Sequence, residues 1–142
     1  MQLEQALKQA KCTFPFAHLG PNFQPDSSMF TVTAWLPDAE KVKVIDLSSG
    51  KPVGNLKRAD GNLFRGEFKT KQAPVVYAFE VSNKQGQYQV IDPYQFQDQA
   101  YHAVHFIDHS AQNVYQQLGA QLVELEVGLD APIQATRFAV FA

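Results

Sequence analysis

Three of the chain's four histidines, His102, His105 and His109, stand at spacings of three and four. On a helix those spacings share a face and could bring imidazoles to a zinc ion. The stretch around them is aromatic and β-branched and offers no cysteine ligand, so they read as exposed or hydrogen-bonded linker histidines. No metal site is assigned. Glycosidic chemistry would need an acid and a nucleophile facing one bond. Asp38, Glu40, Asp60 and Asp98 fall in turns, and Glu67 and Glu80 on outward strand positions, where carboxylates stay solvated. Asp92, before Pro93, reads as a strand-ending turn residue. Cys12, the only cysteine, has no arranged histidine partner and cannot form an internal disulfide, which fits a reducing compartment. There is no G-x-S-x-G string and no phosphate loop. No catalytic and no cofactor-binding residue is assigned. Trp35 is the single tryptophan. Exposed, its indole is a stacking platform for a sugar ring; packed, it caps the end of a core with its N–H satisfied locally. Packing is the preferred reading, because large aromatics are mostly buried.

Those residues must be held by something. At 142 residues the chain suits one well-buried domain. Hydrophobic residues make up 45% and charged residues 18%, within the globular range. Twelve basic side chains face 14 acidic ones with no basic block, so nucleic acid is not an expected partner. No apolar run has the length of a bilayer span, and no membrane partner is expected. The opening "MQLEQALKQAK" lacks a signal-peptide core, and cytoplasmic residence is expected. Its Leu3, Ala6, Leu7 and Ala10 recur at helical spacing, predicting an amphipathic helix over residues 1–12.

From about Phe30 to Asp92 the pattern is strand and turn. In "FTVTAWLP", Phe30, Val32 and Ala34 share one face and Thr31, Thr33 and Trp35 the other; Pro37 ends the run. Lys41 and Lys43 alternate outward against Val42 and Val44. A short strand near 53–56 precedes the Asp60-Gly61 turn, a strong hairpin signal. Phe64 and Phe68 point one way, as do Val75, Tyr77, Phe79 and Val81. Tight turns imply antiparallel pairing. About seven strands predict an all-β, immunoglobulin-like antiparallel sandwich with short flanking helices. Beyond Tyr94 the character changes. Ser110 as N-cap and Gly119 past the end predict one helix, carrying Ala111, Val114, Tyr115 and Leu118 on one face. "TRFAVFA" (136–142) then reads as a short half-buried strand, whose partner is either already in the chain or missing from it.

The strings "PFAHLG" (15–20), "AWLPDAEKVKVID" (34–46), "VIDPYQF" (90–96), "YQQLGA" (115–120) and "TRFAVFA" occur in an order and spacing that closely resemble the N-terminal part of bacterial 1,4-α-glucan (glycogen) branching enzymes. The likeness runs from about Thr13 to the last residue. It departs from the family at Asn22, Gln95, Gln121, Ala135 and Phe141, where histidine, arginine, histidine, glycine and tryptophan are usual.

The resemblance implies a sandwich domain over 13–107, a one-helix linker over 108–130, and in 131–142 the truncated first strand of a carbohydrate-binding module that precedes a catalytic (β/α)₈ barrel. It implies a parent enzyme that cleaves an α-1,4 glucan and transfers the segment to a 6-hydroxyl. The mechanism would be retaining, with two carboxylates lying outside this chain and no metal or organic cofactor. The implied partners are α-glucan (glycogen) through the parent, and the missing module and barrel within it. Trp35 is the one candidate glucan contact on this chain. The alternative is a free-standing immunoglobulin-like carbohydrate-binding or protein-interaction module, which the ordered strings disfavour.

Overall fold

A computed structural model of the chain describes residues 2–74, 76–96 and 119–139. The chain divides into two compact units, Met1–Gln95 and Phe96–Ala142.

The first unit opens with a short helix, α1 (Leu3–Lys8). Leu3, Ala6 and Leu7 form its half-buried face, as their spacing predicts, but the helix stops four residues earlier than the pattern allows. Ala10 takes a left-handed conformation (φ 52°), which a helix cannot continue through. Glu4 in the first turn and Lys8 in the last complement the helix dipole and pair with each other at 2.8 Å.

Seven antiparallel strands follow: β1 (Gly20–Gln24), β2 (Met29–Trp35), β3 (Lys41–Asp46), β4 (Pro52–Asp60), β5 (Leu63–Lys69), β6 (Tyr77–Asn83) and β7 (Gly86–Ile91). Their spatial order is β1-β2-β5-β4-β3-β6-β7. The all-β antiparallel fold is the one expected, but a single curled sheet makes both layers. The device is β4. Its first half pairs with β3 (Val42 opposite Leu56, Val44 opposite Gly54), and its second half with β5 (Lys57 opposite Arg65, Arg58 opposite Phe64). Register shifts at Val44/Ile45 and at Arg58/Asp60 give the bends that carry one strand between layers.

The core lies between the layers. Phe30, Val32, Ala34 and Phe64 come from one side and Val42, Val44, Leu56, Tyr77, Phe79 and Val81 from the other, all buried. Aromatic edges meet at Phe30–Tyr77, 6.0 Å between centroids. The Phe68 ring lies over two glycines: a Cβ on Gly54 would sit 2.4 Å from it and one on Gly66 2.6 Å. Arg58 closes one end, with its guanidinium 4.7 Å from the Phe64 centroid while it donates to the Ala39 and Gly61 carbonyls. Strand β1 lies before Phe30, where the strand pattern was read to begin; it is an edge strand, where Pro21 is tolerated.

The second unit corrects the reading of the C-terminal segment. Gly119–Leu125 forms β8 and pairs with β9 (Ile133–Ala139), from Gly119 opposite Ala139 to Leu125 opposite Ile133. The strand of "TRFAVFA" therefore has a partner inside the chain, and residues 119–125 are strand where a linker was expected. The predicted helix over 110–118 lies outside the described residues.

Candidate functional site

Two places in the first unit gather polar groups around buried positions. The first is where α1 meets the sheet. Trp35 ends β2 on the outer face shared with Thr31 and Thr33, opposite Leu63 of β5. Its side chain is half buried, and its Nε1 is fully buried without a hydrogen bond of ordinary geometry. The carboxylate beside it belongs to Glu4, which is only 7% exposed. Glu4 Oε1 accepts from Lys8 Nζ at 2.8 Å and from the Asn62 backbone N–H at 3.3 Å. The Lys8 ammonium, the Asn62 N–H and the nearby indole N–H lower the carboxyl's pKa, against a partly opposing effect of burial. The hairpin turn makes room for this approach: a Cβ on Gly61 (φ 53°) would stand 2.5 Å from Glu4 Oε1.

The second place is where the chain leaves the sheet. Asp92, 2% exposed, accepts from the Tyr77 hydroxyl through Oδ2 and from the Tyr94 N–H at 3.0 Å through Oδ1. Burial pushes its carboxyl pKa up, more strongly than these two donors pull it down. Burial, with the Asp92 charge added, drives the Tyr77 hydroxyl far above its ordinary range. Gln95 completes the cluster. Its Oε1 accepts from Tyr77 N at 3.0 Å, and its Nε2 donates to the carbonyls of Tyr77 at 2.8 Å and Asp92 at 2.9 Å. The side-chain amide thus pairs with the Tyr77 backbone as a neighbouring strand would, just past the end of β7. Around it, Phe16 meets Tyr94 edge-on at 5.1 Å, and Gly20 (φ 93°) lies so close that a Cβ there would stand 2.8 Å from the Tyr94 carbonyl oxygen. Two distant sequence strings, 15–20 and 90–96, meet here.

The two buried carboxylates among the described residues, Glu4 and Asp92, belong to different clusters and each is engaged by structural donors. Among the described residues no three His, Cys, Asp or Glu side chains are grouped to hold a metal. His102, His105, His109 and Asp98 lie outside them. Asp38, Glu40, Asp60 and Glu67 are largely solvent-facing, and Glu80 pairs with Lys43 across β6 and β3 at 3.0 Å. Cys12 is a free thiol, half buried. Sequence reasoning missed Glu4 and Gln95. Glu4 sits one position from the apolar face of α1, and nothing in a helix pattern marks a buried acid there; Gln95 was visible only as a departure from a family string. Of the other departures, Asn22 pairs opposite Thr31, Gln121 opposite Arg137 and Ala135 opposite Val123; Phe141 lies outside the described residues.

The family described as alpha-1,4-glucan branching enzyme GlgB, N-terminal domain, matches residues 2–94. The chain is 62% identical over 143 residues to the 1,4-alpha-glucan branching enzyme GlgB of Pseudoalteromonas atlantica, covering all of this chain and 19% of that protein. It is 30% identical to the enzyme of the same name from Shewanella sp. (strain W3-18-1), covering 96% of this chain and 18% of that one. The chain therefore spans under one fifth of the length of these relatives. It is also loosely similar to a pullulanase structure from Paenibacillus barengoltzii, at 17% identity over 63% of this chain and 16% of the other, with a TM-score of 0.47. With two thirds of its residues inside one family match, the chain belongs to the GlgB branching-enzyme N-terminal domain family.

Proposed function

We propose that this chain is the non-catalytic N-terminal domain, of immunoglobulin-like type, of a cytoplasmic 1,4-α-glucan branching enzyme. The parent cuts an α-1,4 glucan and transfers the segment to a 6-hydroxyl, forming the α-1,6 branches of glycogen. The observation that carries the reading is the family match over 2–94, in a chain spanning 19% of its 62%-identical relative. Residues 13–107 are the sandwich domain in this reading. The hairpin β8–β9 opens the following carbohydrate-binding module, contributing two strands where the sequence suggested one. The domain's work is to position long glucan chains and neighbouring modules, with Trp35 as its own glucan contact.

A single half-buried indole supplies little binding energy beyond the cost of ordering a flexible saccharide, so the contact is weak, about millimolar at best. Titrating the chain with maltoheptaose while following amide shifts tests this. Small saturable shifts grouped around Trp35 are expected. Shifts grouped elsewhere would move the contact, and none at millimolar saccharide would remove it.

A further inference from the structure

We propose that α1 is a strap closed over the saccharide platform at Trp35, so that glucan reaches the indole only when the helix lifts. This rests on the reading of Trp35 as a glucan contact and adds a gate to it.

The helix is built to come away. Six residues are too few to hold a helix alone in water. Gln2 gives its N-terminus no side-chain cap, and the left-handed Ala10 follows its last turn. Its strongest polar contact, Glu4 to Lys8 at 2.8 Å, is internal and leaves with it. Glu4 is tied to the sheet by the longer bond from Asn62 N–H at 3.3 Å and by the neighbouring Trp35 indole N–H, which makes no hydrogen bond of ordinary geometry to it. Closure is also imperfect, because the buried Trp35 Nε1–H faces the Glu4 carboxylate without a hydrogen bond of ordinary geometry.

What lies beneath suits a neutral, hydroxyl-rich ligand. Lifting α1 frees the indole on the outer face, beside half-buried Leu63, with two donors next to it: Trp35 Nε1–H and Asn62 N–H. A flat apolar surface flanked by donors matches the C–H face and hydroxyl oxygens of a glucose ring. Lys8 departs with the strap, and Arg58, at the same turn, donates to the Ala39 and Gly61 carbonyls.

The single tryptophan makes the gate directly observable. Emission of the intact 142-residue chain is compared with Glu4→Ala and, as an independent way to loosen the helix, Leu3→Ser/Leu7→Ser; far-UV spectra check that the sheet persists. Each protein is then titrated with maltoheptaose. Both variants should shift emission to the red and bind maltoheptaose roughly tenfold more tightly, because apparent affinity scales with the open fraction. Adding Trp35→Phe to either should abolish the gain. Unchanged emission in both loosened variants would overturn the strap. Equal binding by all proteins, with amide shifts away from Trp35, would also overturn it while leaving glucan binding by this domain intact. Red-shifted emission with no binding by any of them would overturn the glucan contact itself, and the platform with it.

Discussion

Gln95 does with a side chain what a strand does with its backbone. Its amide offers one acceptor and two donor hydrogens, and it spends both kinds on peptide groups at Tyr77 and Asp92. Gln95→Ala should destabilise the first unit by about 1–3 kcal/mol, since it leaves a buried N–H and two carbonyls short of partners. Urea unfolding followed by circular dichroism measures it. The buried carboxylates should respond to pH with opposite signs. Asp92 has a raised native pKa, so its contribution is present at acid pH and is lost as pH climbs from the ordinary value of 3.8 through the native one. Asp92→Asn should remove that loss. Glu4 has a lowered native pKa, so its contribution is present above 4.5 and fades as pH falls; Glu4→Gln should lose this acid sensitivity. Urea midpoints from pH 3 to 7 for the three proteins decide both signs, and matching slopes would refute them. Little of this was legible beforehand. A sequence shows that Asp92 precedes Pro93, but not that a tyrosine hydroxyl and a glutamine amide converge on it from 15 and 3 residues away.

At the level of strands, alternation carried real information. Phe30, Val32 and Ala34, which the alternation sets on one face of β2, and Val42 and Val44 on β3 are all buried, because a half-buried strand leaves its period of two in the sequence. Two strands escaped. β1 lies before Phe30, where the pattern was read to begin, and β8 hides behind the assumption that Leu118-Gly119 ends a helix, although Val123, Leu125 and Val127 alternate with Glu124 and Glu126. The glycines beneath Phe68 are equally silent, since only the packed sheet shows that a ring needs the space of a missing Cβ. Gly66→Ala drives a methyl toward both Phe68 and Leu56 (2.6 and 2.7 Å) and should cost about 1–3 kcal/mol, measured by thermal unfolding. The β8–β9 hairpin exposes Leu122 (89%) and Phe138 (75%) on one face. Two strands alone are marginal in water. Its amides should therefore exchange much faster than those of β3 and β6, and equal protection would show that more supports the hairpin than its own pairing.

For the molecule as a whole, the family was legible while the folding-over was not. Five strings in order identify a lineage; that 15–20 and 90–96 touch through Phe16 and Tyr94 emerges only from the fold. Function divides in the same way. Branching needs two carboxylates facing one bond, and the buried acids among the described residues, Glu4 and Asp92, are each committed to holding structure. Amylose incubated with the pure chain should keep its full iodine colour. A clear drop in absorbance would reveal chemistry that the described residues do not explain.

The docking of α1 has a consequence in time. Glu4 meets Asn62 across 58 residues, and the turn that receives it exists only once β4 and β5 have paired. The helix precedes the sheet in the chain, yet its seat is finished late. Sheets built from distant pairings assemble in milliseconds to seconds, whereas a helical turn forms in about a microsecond or less. After rapid dilution from urea, the far-UV signal of the strands should recover first and the emission of Trp35 should lag behind it. On dilution into urea the order should reverse, with the indole signalling before the sheet gives way.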